Sequence, residues 1–194
     1  MAKVSFNMSV SLDGFVAGPN HEVDEVFAWY GAGDTDFLLP GARSPFRVSA
    51  ASARYLAAHS AGIGALVTGR RTFDLAGAWQ GQPPLGVPCV VMTHRPPAEW
   101  TKEGSPFTFV DTVEDAIATA RRLAGGRDIA LGTPSVLRQA LDRGVVDEVS
   151  LDMASVMIGQ GIPLARPTDA PVRLERIEAV EGTGVTHLRF RVLR

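Results

Sequence analysis

Ala65-Leu-Val-Thr-Gly-Arg-Arg-Thr-Phe-Asp74 is an apolar run that passes through Gly69 directly into two arginines and a threonine. The apolar residues predict a buried strand, and the residues after Gly69 predict the opening of a helix. Such a junction brings free backbone N–H groups and two guanidinium groups to one point, a setting suited to an anion. Taken alone, it fits equally well a plain strand-to-helix connection with solvated arginines. Two further strand ends, Val90-Val-Met-Thr-His-Arg95 and Ile129-Ala-Leu-Gly-Thr-Pro-Ser135, also carry donors suited to phosphate. Three such ends point to a dinucleotide.

Working outward, strands and helices alternate through most of the chain. Lys3 to Val10 alternates with period two, placing Val4, Phe6, Met8 and Val10 on one face. A breaker-rich loop follows from Ser11 to Asn20, a common place for a mobile lid. Val23 to Tyr30 predicts a short helix, and residues 31–48 form a long excursion without clear period. Ser49 caps a predicted helix through His59. Residues 77–88 read as loop, and Val87 to Thr93 as a strand covered on both faces. Phe107 to Val110 predicts a strand leading into a helix capped by Asp111 or Thr112 and stopped by Gly125-Gly126. Asp128 to Leu131 is the next strand, and Thr133-Pro134 caps a helix from Ser135 to Arg143. In the strand that follows, Val149, Leu151 and Met153 face one way and Glu148, Ser150 and Asp152 the other, as in a half-exposed strand. Val172 to Val180 and Val185 to Leu193 predict a closing hairpin. This order implies an α/β fold with a mainly parallel central sheet, antiparallel C-terminal edge strands and flanking helices. One domain over residues 1–194 is expected.

The 194 residues suffice for a real core, and 45% hydrophobic with 21% charged residues describes an ordinary globular protein. A net charge of −2 offers no basic surface for nucleic acid. No run approaches a membrane span and no leader precedes the first strand, so a cytoplasmic protein is expected. The single cysteine, Cys89, cannot form an internal disulfide and reads as a small core residue. Histidines 21, 59, 94 and 187 lack metal-ligand spacing, so no metal site is expected. Gly62-Ile-Gly64 precedes its strand and has Val67 at the third glycine position, which excludes a conventional Rossmann fingerprint.

Five segments together carry a resemblance: Val4 to Gly18, Val67 to Phe73, Val91 to Pro96, Leu131 to Val136, and Ala140 to Val149. In order and spacing they resemble the dihydrofolate-reductase-like superfamily, with its three-layer fold. Continued to Ser155-Val-Met-Ile-Gly-Gln-Gly161, the chain is more similar to the C-terminal reductase domain of riboflavin-biosynthesis proteins (RibD C-terminal), here in stand-alone form. The His-x-Glu and Pro-Cys-x-x-Cys deaminase signature of the bifunctional members is missing from the sequence.

The resemblance implies an NADPH-dependent reductase acting on a small heterocyclic substrate, and a homodimer, for which the C-terminal strands offer an edge. It implies that Gly69, Arg70, Arg71 and Thr72 meet the cofactor phosphates. Thr93, His94 and Arg95 would surround the ribose 2′-phosphate. Gly132, Thr133, Ser135 and Val136 would meet the pyrophosphate, and Ala17 and Gly18 the nicotinamide. The family's turn usually has two consecutive glycines; here the second is Thr133, followed by Pro134, so a reshaped backbone is expected. Asp24 and Glu25 are the candidate proton donors, with Asp13, Asp34 and Asp36 as alternatives. Trp29, Tyr30, Phe73 and Trp79 are candidates to stack a flat heterocycle, or else to pack the core. Dihydrofolate reductase itself and a non-catalytic nucleotide-binding or dimeric scaffold are the competing readings.

Overall fold

The computed structural model describes residues 2–165 and 171–194. The chain divides into two compact units, one of residues 1–6, 39–43 and 59–146, the other of 7–38, 44–58 and 147–194. Strand β1 (Val4–Ser11) contributes its first three residues to the first unit and the rest to the second.

The first unit is a parallel sheet. Its strands are β5 (Ile63–Gly69), β6 (Cys89–Met92), β7 (Phe107–Val110), β8 (Asp128–Leu131) and the start of β1, in the order β1-β8-β5-β6-β7. The apolar runs predicted for β5 and β6 are buried on both faces, as a parallel sheet demands. Leu66, Cys89, Val91 and Phe107 join Phe73 in one cluster, while the alternate residues Ala65, Val67 and Val90 are fully buried. Helix α4 (Val113–Ala124) packs along β5 and β6 through Val113, Ala116, Ile117, Ala120 and Ala124. The cap is Thr112, not Asp111: Asp115 N–H donates to Thr112 Oγ1 at 3.1 Å, and Gly125 ends the helix at φ 60°. Helices α3 (Arg70–Leu75) and α5 (Pro134–Asp142) each leave directly from the end of a strand.

Residues 77–81, expected as plain loop, form a left-handed turn. Ala78, Trp79 and Gln80 hold φ of 51°, 46° and 52° between Gly77 and Gly81. This conformation is costly for residues with a Cβ. Packing offsets the cost: Ala78 is buried, and the Trp79 ring lies 6.3 Å from Phe73 and 6.5 Å from Phe107.

Gly41 of the 31–48 excursion belongs to this unit and donates its N–H to Pro84 O at 3.2 Å. A Cβ there would lie 1.8 Å from Pro83 O and 2.7 Å from Gly86 N, both backbone atoms. Gly41→Ala is therefore expected to destabilise by roughly 1–3 kcal/mol, read as a lower denaturation midpoint. An unchanged midpoint would mean that residues 39–43 detach without cost.

The second unit is antiparallel at its edge. Strands β9 (Glu148–Ala154), β11 (Leu174–Gly182) and β12 (Val185–Val192) extend the sheet order as β11-β12-β9-β1. A two-stranded piece pairs β2 (Phe15–Ala17) with β10 (Ile162–Pro163), and another pairs β3 (Thr35–Phe37) with β4 (Phe46–Val48), so the long excursion carries a small hairpin. Helix α1 (Asp24–Phe27) continues as a 3-10 turn over Ala28–Gly31, and α2 (Ala50–Ala61) starts at Ser49, whose Oγ accepts from Ser52 N–H at 3.1 Å.

The polar face of β9 is corrected by the structure. Glu148, Ser150 and Asp152 are 8%, 3% and 1% exposed, so the strand expected to be half-exposed has its polar face inside. No helix among the described residues is long and apolar enough to cross a membrane.

Candidate functional site

The ends of β5, β6 and β8 bring most of the expected phosphate-binding residues into the first unit. The close approach of β5 and β8 depends on two glycines. A Cβ on Gly69 would sit 3.3 Å from Thr133 Oγ1 and 3.4 Å from Ser135 Oγ, and one on Gly132 would sit 3.3 Å from Leu66 Cδ1 and 3.9 Å from Thr68 Oγ1. Around this cradle, Thr68 and Thr133 are 1% and 4% exposed, and neither hydroxyl has a hydrogen-bond partner among the described residues. A buried, unsatisfied hydroxyl costs about 1–3 kcal/mol, so each is unusual unless something else satisfies it.

Thr133 occupies the N-cap position of α5, yet its side chain makes no capping bond, contrary to expectation. Its backbone is extended, with φ −147° and ψ 146°, so the β-branched residue fits without a left-handed conformation. Pro134 lacks an N–H, which leaves the amides of Ser135 and Val136 as the first-turn donors of α5. The Val136 side chain is core, at 1% exposed.

Arg70 takes a bracing position. Its Nε donates to both oxygens of Asp74, at 2.7 and 2.9 Å, and its guanidinium also donates to the Arg95 carbonyl. It thereby ties the start of α3 to the segment after β6. Thr93 Oγ1 accepts from Arg95 N–H at 3.1 Å, which fixes the turn that displays His94 and Arg95, both exposed. The His94 ring is 3.9 Å from the Asp111 carboxylate. Arg71 is exposed and Thr72 half-buried. Phe73 belongs to the core, and Trp79 packs against it.

In the second unit, Ala17 is buried in β2 opposite Ile162. Gly18 is fastened rather than loose: its N–H donates to Glu22 O at 2.7 Å and its carbonyl accepts from His21 N–H at 3.0 Å. The Asn20 side chain lowers the Glu22 carboxyl below its usual range, chiefly by hydrogen bonding. Asp24 and Glu25 occupy the first turn of α1 and are exposed. Asp13 is held below the usual carboxylate range, first by the Ser11 hydroxyl at 2.6 Å, with the amides of Gly159 and Ile158 acting in the same direction. Its structural effect is to pin residues 158–159 to the turn after β1. Asp34 is exposed, and Asp36 pairs with Arg47 at the surface.

A buried carboxylate that sequence reasoning missed is Asp152. Its Oδ1 meets His187 Nδ1 at 2.7 Å, its Oδ2 accepts from Asn7 Nδ2 at 3.2 Å, and His187 Nε2 meets Ser52 Oγ at 2.8 Å. His187, at 0% exposed, is stacked on Tyr55 at 4.4 Å and edged by Trp29 at 5.2 Å. Burial, with the Asp152 charge adding to it, pushes the phenols of Tyr30 and Tyr55 well above their usual range. Trp29 and Tyr30 are therefore packed into this cluster, with Trp29 Nε1 donating to Ser9 Oγ at 3.1 Å. The available signal was strand register: His187 stands opposite Asp152.

Burial also raises the Cys89 thiol to about 12, leaving it an inert core group. Among the described residues, no three His, Cys, Asp or Glu side chains converge in a way that would hold a metal ion.

A search of curated proteins gave no match. Among solved structures, a protein assigned to riboflavin biosynthesis from Shewanella sp. PV-4 is similar at 19% identity and TM-score 0.75, over 100% of both chains. A diaminohydroxyphosphoribosylaminopyrimidine deaminase/5-amino-6-(5-phosphoribosylamino)uracil reductase from Thermotoga maritima is similar at 13% identity and TM-score 0.60, over 99% of this chain and 57% of that one. Dihydrofolate reductase from Enterococcus faecalis follows at 16% identity and TM-score 0.62, over 99% of this chain and 97% of that one. At these identities the likeness is one of fold, and it agrees with the dihydrofolate-reductase-like architecture expected from the sequence. The sequence profile of one family matches residues 2–187, and on that match the chain belongs to the RibD C-terminal domain family.

Proposed function

We propose that the chain is a stand-alone NADPH-dependent reductase that transfers hydride to a C=N or C=O group of a small pyrimidine- or pterin-like heterocycle. The observation that carries this reading is the pair of orphaned buried hydroxyls, Thr68 and Thr133, beside the glycine cradle of Gly69 and Gly132. Phosphate oxygens would accept from both hydroxyls and from the Ser135 and Val136 amides, removing the cost of leaving those donors unpaired. The donor set thus fits the phosphate portion of a dinucleotide. Arg71, Thr72, Thr93, His94 and Arg95 would hold the remaining phosphate, with Arg70 acting as the brace that positions the Arg95 backbone. Bound NADPH would supply the hydride.

Family membership and the activity named for the Thermotoga maritima protein support 5-amino-6-(5-phosphoribosylamino)uracil as the first substrate to try. Dihydrofolate reductase activity is the weaker reading, since Asp24 and Glu25 are exposed where that chemistry calls for a buried acid. Homodimer formation would use the exposed edge of β11.

Titration of the purified protein with NADPH and NADH, followed by nicotinamide fluorescence, tests the proposal. Wild-type protein should prefer NADPH, and Arg71→Ala and Arg95→Ala should each weaken NADPH by roughly 10-fold or more while leaving NADH less affected. Failure of the wild type to bind either nucleotide would leave a non-catalytic scaffold as the better account.

A further inference from the structure

The second unit contains a hydrogen-bonded chain that nothing in the nucleotide site uses. Ser49 Oγ donates to Ser52 Oγ at 3.0 Å, Ser52 Oγ meets His187 Nε2 at 2.8 Å, His187 Nδ1 meets Asp152 Oδ1 at 2.7 Å, and Asn7 donates to Asp152 Oδ2 at 3.2 Å. Ser52 and His187 are 0% exposed and Asp152 1%, while Ser49 is half-buried and Asn7 exposed. The middle is buried and both ends reach toward solvent. Gly182 closes over it so tightly that a Cβ there would lie 2.2 Å from Ser52 Oγ.

Ser-His-Asp order invites comparison with a hydrolase, but a serine with no exposed surface cannot meet an acyl group. Proton storage fits better. With neutral imidazole, Nδ1–H donates to Asp152, Ser52 O–H to Nε2 and Ser49 O–H to Ser52. If a proton enters on Nε2, that N–H donates to Ser52, Ser52 turns its hydrogen to Ser49, and Ser49 turns its own outward. Every heavy-atom contact keeps one hydrogen bond, and only hydroxyl rotors move.

We propose that His187 and Asp152 form a reversible proton store, filled through Ser52 and Ser49. Reduction of a C=N group consumes one hydride at carbon and one proton at nitrogen, which takes the π electron pair; the store would supply that proton and refill from water. Only the proton's destination rests on the reductase reading. The groups that meet the pair are Asn7 from β1, Trp29, and Ser52 and Tyr55 from α2, with the Tyr30 phenol feeling the Asp152 charge; Ser9 bonds Trp29, Ser150, Glu178 and Arg189 act on Tyr55, and Glu148 is buried on the same face of β9.

Histidine-selective 15N NMR on the full chain tests storage without substrate. In neutral solution His187 should show the Nδ1–H tautomer, and acidification should protonate Nε2 while the spectrum stays dispersed. Ser49→Ala, which removes the acceptor for the reversed Ser52 hydrogen, should lower the doubly protonated fraction roughly tenfold at matched pH, and Ser49→Thr should restore it. If Nε2 stays bare until the fold melts, or Ser49→Ala leaves uptake unchanged, the store does not exist and the chain is a structural bond. A wild type that takes up the proton yet binds no NADPH would sink the reductase reading alone.

Discussion

Replacing His187 with leucine should cost the protein roughly 3–5 kcal/mol, because it leaves the Asp152 carboxylate buried with a single neutral donor. Asp152 is 1% exposed, and after the change Asn7 Nδ2, at 3.2 Å, is the side-chain donor left to it among the described residues. Leucine keeps most of the apolar contact with Trp29 and Tyr55, so the loss would report the orphaned charge rather than a cavity. The companion experiment is the double variant Asp152→Leu/His187→Leu, which should recover most of the loss because no charge is then left behind. Urea unfolding of the two proteins decides the matter. A single variant within about 1 kcal/mol of wild type would mean that Asp152 reaches water in solution.

That pair also shows why the fold was more legible than its interior. Period-two alternation locates a strand and separates its faces, but does not say which face is inside. For β9 the apolar residues Val149, Leu151 and Met153 named the obvious face, and only Val149 of the three proved fully buried. The polar face is inside because β12 sets His187 against Asp152, and α2 supplies Ser52; long-range register created a site that no local spacing announces.

Where the determinants are local, the reading was close. Strands Phe107–Val110 and Asp128–Leu131 and the Gly125 stop follow from adjacent residues, which also narrow the cap to Asp111 or Thr112. Gly77 to Gly81 was legible only as a break, because a left-handed run through Ala78, Trp79 and Gln80 opposes their own preference and is imposed by packing. Arg70 looked like a phosphate ligand in sequence. Its i,i+4 partner Asp74 was visible too, yet its tie to the Arg95 carbonyl required the fold.

Thr133→Val should separate stability from binding at the candidate phosphate site, since the two effects have opposite signs. Thr133 Oγ1 is buried, neither caps α5 nor bonds to any other described residue, and costs the ligand-free protein about 1–3 kcal/mol in lost hydration. Valine has nearly the same shape and the same preference for the extended φ of −147°, so it removes that cost with little repacking. The ligand-free variant should therefore unfold at higher denaturant, by roughly 1 kcal/mol. If phosphate is the missing partner of that hydroxyl, NADPH affinity should fall by about 10-fold or more in the same variant, the equivalent of one charge-assisted hydrogen bond. Gly69→Ala supplies an independent check, because its Cβ would enter the space 3.3 Å from Thr133 Oγ1 and 3.4 Å from Ser135 Oγ. It should reduce affinity by crowding while leaving both hydroxyls in place. Valine that stabilises without weakening NADPH would show that the orphaned hydroxyl serves no ligand, and the phosphate reading of the β5 and β8 strand ends would then have to rest on the arginines alone.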